Sequence, residues 1–375
     1  MITRLCMPTH AVSSTLFLCL LLISAPILAT PKAAIFPDDR PTVFDLIYGQ
    51  DIIDVTLETD LVRLMENVKT DNYQSALFSF TDAKGDDVSL QAEVRSRGNY
   101  RRRVCDFPPL MIKFHKEKLV GANIKPHNKL KLVTHCLDEK NAGQENLLKE
   151  YLAYKMYQEL TDQSYRVQLV RINYADTKGK VSRVRRYGIL IEDTDEMAER
   201  LGGEECDCLN PQREQLDNRL EGIHAVFQYM IGNEDWSITM NRNLKMVKPL
   251  DGSSWKPVPY DFDFSGLVNA SYAVPNYELG ITSIQDRLYL GLPIQDAEMK
   301  YLFSYFQNKK AALYQIVENC QYLSKSGRKE VIDYLDTFYQ KIVQLETEVG
   351  RNYYQVMSTI NTPVEIGDRE ISSGK

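Results

Sequence analysis

The order of two hydrophobic periodicities constrains this chain more than any other feature. Through the first half, apolar residues alternate with polar ones, as strands require; past residue 195 they recur at helical spacing. Residues 54–58 (DVTLE) alternate, and a short helix follows at 60–68. Residues 75–81 and 88–97 flank the polar, Gly-containing turn 82–86, which predicts a hairpin. Two more strands follow at 109–114 (PLMIKF) and 129–134 (KLKLVT), and a second hairpin pairs 167–174 with 184–192 around Asp176-Thr177-Lys178-Gly179. One helix interrupts them at 145–160, where Leu147, Leu148, Tyr151, Leu152, Met156 and Leu160 share a face. Beyond 195 the pattern predicts helices at 220–232, 296–320 and 330–349. Strands followed by helices imply an α+β fold, or two lobes side by side, and a cleft between lobes is a natural ligand site.

The ends of the chain read differently. Arg4, the apolar run 16–23 (LFLCLLLI) and Ile27-Leu28-Ala29 have the three-part layout of a secretory signal peptide. The run falls short of the ~20 residues that a membrane span needs, and no other stretch is long and apolar enough. The expected organisation is a signal peptide at 1–29, a Pro- and Ala-rich linker at 30–41, one domain at 42–362 divided near 193/194, and a polar tail at 363–375. The mature protein is then expected to be periplasmic or secreted, with no transmembrane segment. A net charge of −6, with basic residues scattered except near Arg101, gives no nucleic-acid footprint.

Cys6 and Cys19 lie in the leader, leaving Cys105, Cys136, Cys206, Cys208 and Cys320. An odd number leaves at least one thiol over. Cys105 with Cys136 is the preferred disulfide, although sequence does not fix connectivity. The GGEECDC segment at 202–208 has no second Cys or His pair to complete a zinc site, so it reads as a structural loop. There is no Gly-x-Ser-x-Gly, and the five histidines are scattered, so nothing points to a serine hydrolase. His224, on an apolar helix, reads as a core residue.

The residues that bear chemistry cluster in two stretches, 231–246 (IGNEDWSITMNRNLKM) and 259–266 (PYDFDFSG). Asn, Asp and Gly are common turn formers. Yet an acid at a helix end, an amide a few residues on and a second acid after a strand hairpin make up the phosphotransferase arrangement. There the first acid orients the attacking hydroxyl, while the amide and second acid hold Mg²⁺ against nucleotide phosphates. Asp261 and Asp263 alternate with aromatics, so on a strand both point to one side. Two such carboxylates repel unless a cation or solvent relieves them.

In these stretches the chain resembles the CotH (spore coat protein H) kinase family, which has an atypical protein-kinase-like fold. The resemblance spans roughly residues 50–305. It includes Val94-Arg95-Ser96-Arg97-Gly98-Asn99, the strand ending Lys113-Phe114, Lys129-Leu130-Lys131-Leu132, the helix phrase 147–154, Asn233-Glu234-Asp235-Trp236 and Pro259-Tyr260-Asp261-Phe262-Asp263. It implies a two-lobed fold, with a strand-rich N-terminal lobe at 42–193 and a helix-rich C-terminal lobe at 194–362. It also implies ATP and Mg²⁺ as cofactors, and phosphate transfer to a hydroxyl of an extracytoplasmic protein.

Under this resemblance Asp235 is the catalytic acid. Asn243, with Asn241 as a competing choice, and Asp263 or Asp261 hold the metal; Lys113 reaches the phosphates with Glu150 as its partner. The chain departs from the pattern in the long gap from Asp235 to Asn243 and in lacking a Gly-x-Gly-x-x-Gly loop. The basic turn containing Arg97 and Arg101 would have to bind phosphate instead, as guanidinium groups can. Glu192 and Asp193 fall where a hinge would hold adenine. The alternatives are an inactive kinase-like scaffold that binds a cell-envelope or coat partner, and a nucleotidyl transferase.

Overall fold

A computed structural model of the protein describes residues 38–347 and 352–359. The expected signal peptide, the linker as far as residue 37 and the polar tail lie outside the described residues. The compact unit that starts at Arg40 is α+β, and strands come before most of the helices, as the periodicities require.

The first half contains α1 (Val43–Ile47), β1 (Ile53–Thr59), α2 (Leu61–Glu66), β2 (Gln74–Thr81), β3 (Asp87–Ser96), α3 (Arg101–Val104), β4 (Leu110–Phe114), α4 (Lys116–Gly121) and β5 (Lys129–Val133). The long helix α5 (Lys140–Leu160) then leads to β6 (Val167–Asp176) and β7 (Val184–Ile191). The seven strands close into a barrel in the order β1-β2-β3-β4-β5-β7-β6. Every pairing is antiparallel except the closing one, where β1 runs parallel to β6 with Ile53 opposite Val170 and Leu57 opposite Tyr174. Closure removes the exposed edges that an open sheet would present. Both hairpins form where the turns predict them, whereas the closing pair joins strands more than a hundred residues apart.

The second half begins with α6 (Thr194–Arg200), β8 (Gly203–Cys206), α7 (Asn218–Ile231), β9 (Leu244–Pro249) and β10 (Lys256–Pro259), and β8–β10 form a small antiparallel sheet. It ends with α8 (Asp296–Glu318), α9 (Lys325–Thr347) and α10 (Tyr353–Met357). No described helix is long and apolar enough to cross a membrane.

Two apolar cores share one wall. Leu57, Phe78, Val94, Phe114, Ile172 and Tyr174 fill the barrel, while α5, α7, α8 and α9 pack around the other core. Along β6, Val170, Ile172 and Tyr174 face the barrel, and Val167 and Leu169 face the helices; on β7, Leu190 faces in and Ile189 and Ile191 face out. These strands are apolar on both faces because both faces are covered. Each buried side chain of this size contributes about 1.5–3 kcal/mol, so the shared wall holds α5 rigidly against the barrel.

Two disulfides form, Cys105–Cys136 and Cys206–Cys208, and Cys320 is a buried free thiol. Cys105 follows α3 and Cys136 follows β5, and the backbone at Phe107 pairs with Cys136 beside them. The bridge therefore ties α3 to the barrel. It spans 31 residues, a loop whose closure in the unfolded chain is worth about 3–4 kcal/mol. The double variant Cys105→Ala/Cys136→Ala should lose stability of that order in chemical denaturation, whereas Cys206→Ala/Cys208→Ala, which opens a far shorter loop, should lose much less.

Candidate functional site

Arg101 organises the site. The single turn of α3 exposes Arg103 and turns Arg101 inward, where only 5% of it is exposed. Its Nη2 lies 3.2 Å from Glu150 Oε1, 2.7 Å from Asp261 Oδ1 and 2.5 Å from Asp263 Oδ1. Glu150 comes from the middle of α5 and is buried, while the two aspartates follow β10. The Asp261 N–H donates to the Tyr154 hydroxyl at 2.9 Å, one helical turn along α5 from Glu150, and the residue sits at φ +67°. Left-handed backbone is unfavourable for a non-glycine residue and persists where the surroundings impose it.

One guanidinium thus meets three carboxylates whose ligand atoms lie within 4.8 Å of one another. Burial pushes Glu150 and Asp263 up, against the pull of Arg101, and the neighbouring carboxylates act in the same direction as burial. A proton or a further cation relieves such a cluster. The Tyr272 hydroxyl acts on the Asp263 carboxylate, yet Asp263 Oδ2 makes no well-formed hydrogen bond although it is buried, and such atoms are rarely left unpaired. Hard carboxylate oxygens of this kind fit Mg²⁺.

Asp235 lies beside this cluster. Burial raises its pKa; Arg242 opposes this, with Nε 3.5 Å from Oδ1, and the Asp261 charge adds to it. Asn243 Nδ2 donates to Asp235 Oδ2 at 2.9 Å and to its carbonyl at 2.6 Å. The long gap between the two residues is a small excursion: Ser237 pairs with Arg242, and the chain returns Asn243 to Asp235. Asn241 and Asn243 both have positive φ, and Asn241 Oδ1 is buried without a partner. Buried amides fix the acid from below, since Asn233 Oδ1 accepts from the Asp235 N–H, Asn233 Nδ2 donates to Gln228, and Gln228 contacts the buried His224. Gly232 caps α7 at φ +62°, with the Tyr334 hydroxyl 2.0 Å from where a Cβ would stand. No other residue fits that turn. A cavity of about 350 Å³ opens against Asp235, lined by Tyr100, Glu234, Phe264 and Pro275.

Two expectations need correcting. Lys113 does not meet Glu150. On β4, Leu110, Ile112 and Phe114 enter the barrel, so Lys113 points outward. It stands opposite Glu93 on β3, 3.7 Å from that carboxylate, and over the Tyr73 ring. Arg101 takes the place expected for it at Glu150. The hinge is also more constrained than expected. Glu192 is fully buried between Arg166 and Arg200, and its N–H donates to the Arg166 carbonyl, which leaves that donor unavailable to a base.

Lys131 is the residue that the sequence did not single out. It lies on β5 opposite Ile191 of β7, and its Nζ reaches Thr194 Oγ1 at 2.7 Å between the Tyr165 and Tyr260 rings. Burial lowers its pKa to about 7, and the nearby charges of Arg97 and Lys245 act in the same direction. Arg97 is thus near enough to Lys131 for its charge to act there, and the Tyr260 ring under the Lys131 ammonium immediately precedes Asp261. Lys131 falls in one of the segments that carry the family resemblance, 129–132, but the sequence assigned it no role.

No protein-family model matches the chain, and no curated protein does. Among solved structures it is similar to the Helicobacter pylori proinflammatory kinase CtkA, at 11% identity and a TM-score of 0.34, over 58% of this chain and 92% of that one. A likeness this distant carries no argument about the site.

Removing the guanidinium leaves two buried carboxylates, Glu150 and Asp263, without a counter-ion, a change that typically costs about 3–5 kcal/mol. Arg101→Ala should therefore melt far below wild type, whereas Lys113→Ala should stay within about 0.5 kcal/mol of it. Urea denaturation of the two variants checks both.

Proposed function

We propose that the protein is an exported, Mg²⁺-dependent phosphotransferase of the CotH kinase type, two-lobed, which moves the terminal phosphate of ATP to a hydroxyl of an extracytoplasmic protein. The observation that carries this reading is the convergence of Glu150, Asp261 and Asp263, from distant parts of the chain, beside the hydrogen-bonded pair Asp235–Asn243. Lys131 lies over the ring of Tyr260, the neighbour of Asp261, and the charges of Arg97 and Lys245 act on it. Phosphoryl transfer needs this pairing of acids for metal with bases for phosphate.

In this reading Asp263 and Asp261 are the metal ligands, with the side-chain oxygen of Asn243 or Asn241 as the amide ligand. Bound Mg²⁺ would neutralise phosphate charge and draw electron density from the transferring group. Arg97 and Lys131 bind phosphate oxygens, and Lys131, with its lowered pKa, is readily recharged by an anion. Asp235 orients the acceptor hydroxyl, which enters through the cavity lined by Tyr100 and Glu234, and accepts its proton. Asn243 holds the Asp235 carboxylate in place. Glu150 positions Arg101, and Arg101 keeps the acids from separating.

One observation favours a second reading. Arg101 already pairs with all three carboxylates, so the cluster could serve as a structural tie in an inactive scaffold that binds an envelope or coat partner. A thermal-shift titration with ATP and MgCl₂ separates the two, because a ligand that binds only the folded state raises Tm. The phosphotransferase predicts a rise of several degrees in wild type, lost in Asp263→Ala and kept in Asp235→Ala. No rise in folded wild type would leave the scaffold.

A further inference from the structure

The two disulfides differ in what they do for the fold. Cys105–Cys136 closes a long loop, and Cys136 is 4% exposed. Cys206–Cys208 joins residues two apart, so it removes little freedom from the unfolded chain. It also lies nearer the solvent. Cys206 and Cys208 are both part-exposed, and Asp207 between them and Leu209 after them are exposed. Cys206 ends β8 and pairs with Met246 of β9, whereas Cys208 lies beyond the strand. Exposed disulfides are the labile ones, and buried structural ones resist reduction.

The charge around the exposed bond is one-sided. Glu204, Glu205 and Asp207 adjoin Cys206 in the chain, and with Asp195 and Glu199 they line a cavity of about 620 Å³. Glu205 pairs with Lys245, Glu199 with Lys125 and His127, and Asp195 lies 4.0 Å from Lys129. Glu204 and Asp207 are exposed and form no ion pair among the described residues, although the Asp207 charge reaches Lys245. Such a field disfavours a thiolate on either cysteine, which slows exchange with every thiol alike. It also discriminates among attacking thiolates by charge. A thiolate that carries an ammonium is neutral overall, while one that carries a carboxylate is doubly negative and is repelled far more.

We propose that Cys206–Cys208 is a thiol–disulfide exchange site selective for small cationic thiols, the aminothiols. The aminothiolate attacks one cysteine sulfur, the Cys206–Cys208 bond breaks, and the other cysteine leaves as a thiolate that takes up a proton. A second aminothiolate attacks the aminothiol sulfur of this mixed disulfide and releases the remaining cysteine, which also takes up a proton. The protein disulfide gains two electrons, and the two aminothiols leave joined as their own disulfide. The site is independent of the phosphotransferase reading.

Exposing the full chain in native buffer to cysteamine, 2-mercaptoethanol or 3-mercaptopropionate, then alkylating it and mapping the peptides by mass spectrometry, tests this. Each rate is divided by that of the same thiol with neutral 2-hydroxyethyl disulfide, which removes differences in thiol pKa. Buried Cys320 marks unfolding, since only opened molecules alkylate it. Where Cys320 is unmodified, Cys206 and Cys208 should be alkylated about ten times faster than Cys105 and Cys136, or more. At low salt cysteamine should lead 3-mercaptopropionate by about fivefold, with 2-mercaptoethanol between them, and the spread should collapse at 1 M NaCl, where charges are screened beyond about 3 Å. Glu204→Gln/Asp207→Asn should keep the opening and narrow the spread. The proposal is overturned if Cys206–Cys208 does not open in folded protein, if both disulfides open equally, if the thiols show no order at low salt, or if the double variant keeps the full spread.

Discussion

The contact of Arg101 with Glu150, Asp261 and Asp263 joins three parts of the chain that are distant in sequence. Its guanidinium comes from a four-residue turn, Glu150 from the long helix and the aspartates from the loop after β10. Each partner is costly to bury alone, and burial is tolerated because the charges meet. The disulfide at Cys105 holds the turn, the shared wall holds α5, and the Tyr154 hydroxyl accepts from the Asp261 N–H. The cluster is therefore strongly determined from three directions, and Asp261 can be kept in left-handed backbone.

The barrel and the helical core are separate in composition but share β5, β6 and β7. This places the carboxylates against the middle of α5, and Lys131 beside the exit from β7. Arg101 and Glu150 meet Asp261 and Asp263, and the Lys131 ammonium lies over the adjoining Tyr260 ring. A charged ligand that carries both phosphate and metal would satisfy both groups together, with Arg101 as the internal counter-ion.

Much of this was legible in the sequence. The α+β order, both hairpins and the helices past 195 followed from periodicity, and Cys105–Cys136 was the preferred pair. Boundaries moved where polar residues open a helix: α5 begins at Lys140, where Glu139 caps it, five residues before the predicted start at 145. The parallel closure of β1 on β6 could not be read, because local pattern carries no information about a distant parallel partner. Arg101 was marked as a phosphate ligand in a basic run, and a four-residue turn gave no sign that it alone would face inward onto carboxylates. Lys113 was misplaced because an alternating strand fixes which residues share a face but not which neighbour that face meets. Lys131 escaped notice for the same reason.

Electron paramagnetic resonance of Mn²⁺, titrated into the protein with ATP, tests the account most directly, since Mn²⁺ shares the oxygen-ligand preference of Mg²⁺. Loss of the free-ion signal beyond that of a protein-free Mn²⁺–ATP reference, seen in wild type and in Lys113→Ala and absent in Asp263→Asn, is the predicted result. A signal in folded wild type that matches the protein-free reference at every ATP concentration would contradict it, and would leave the Arg101 cluster as a purely structural tie.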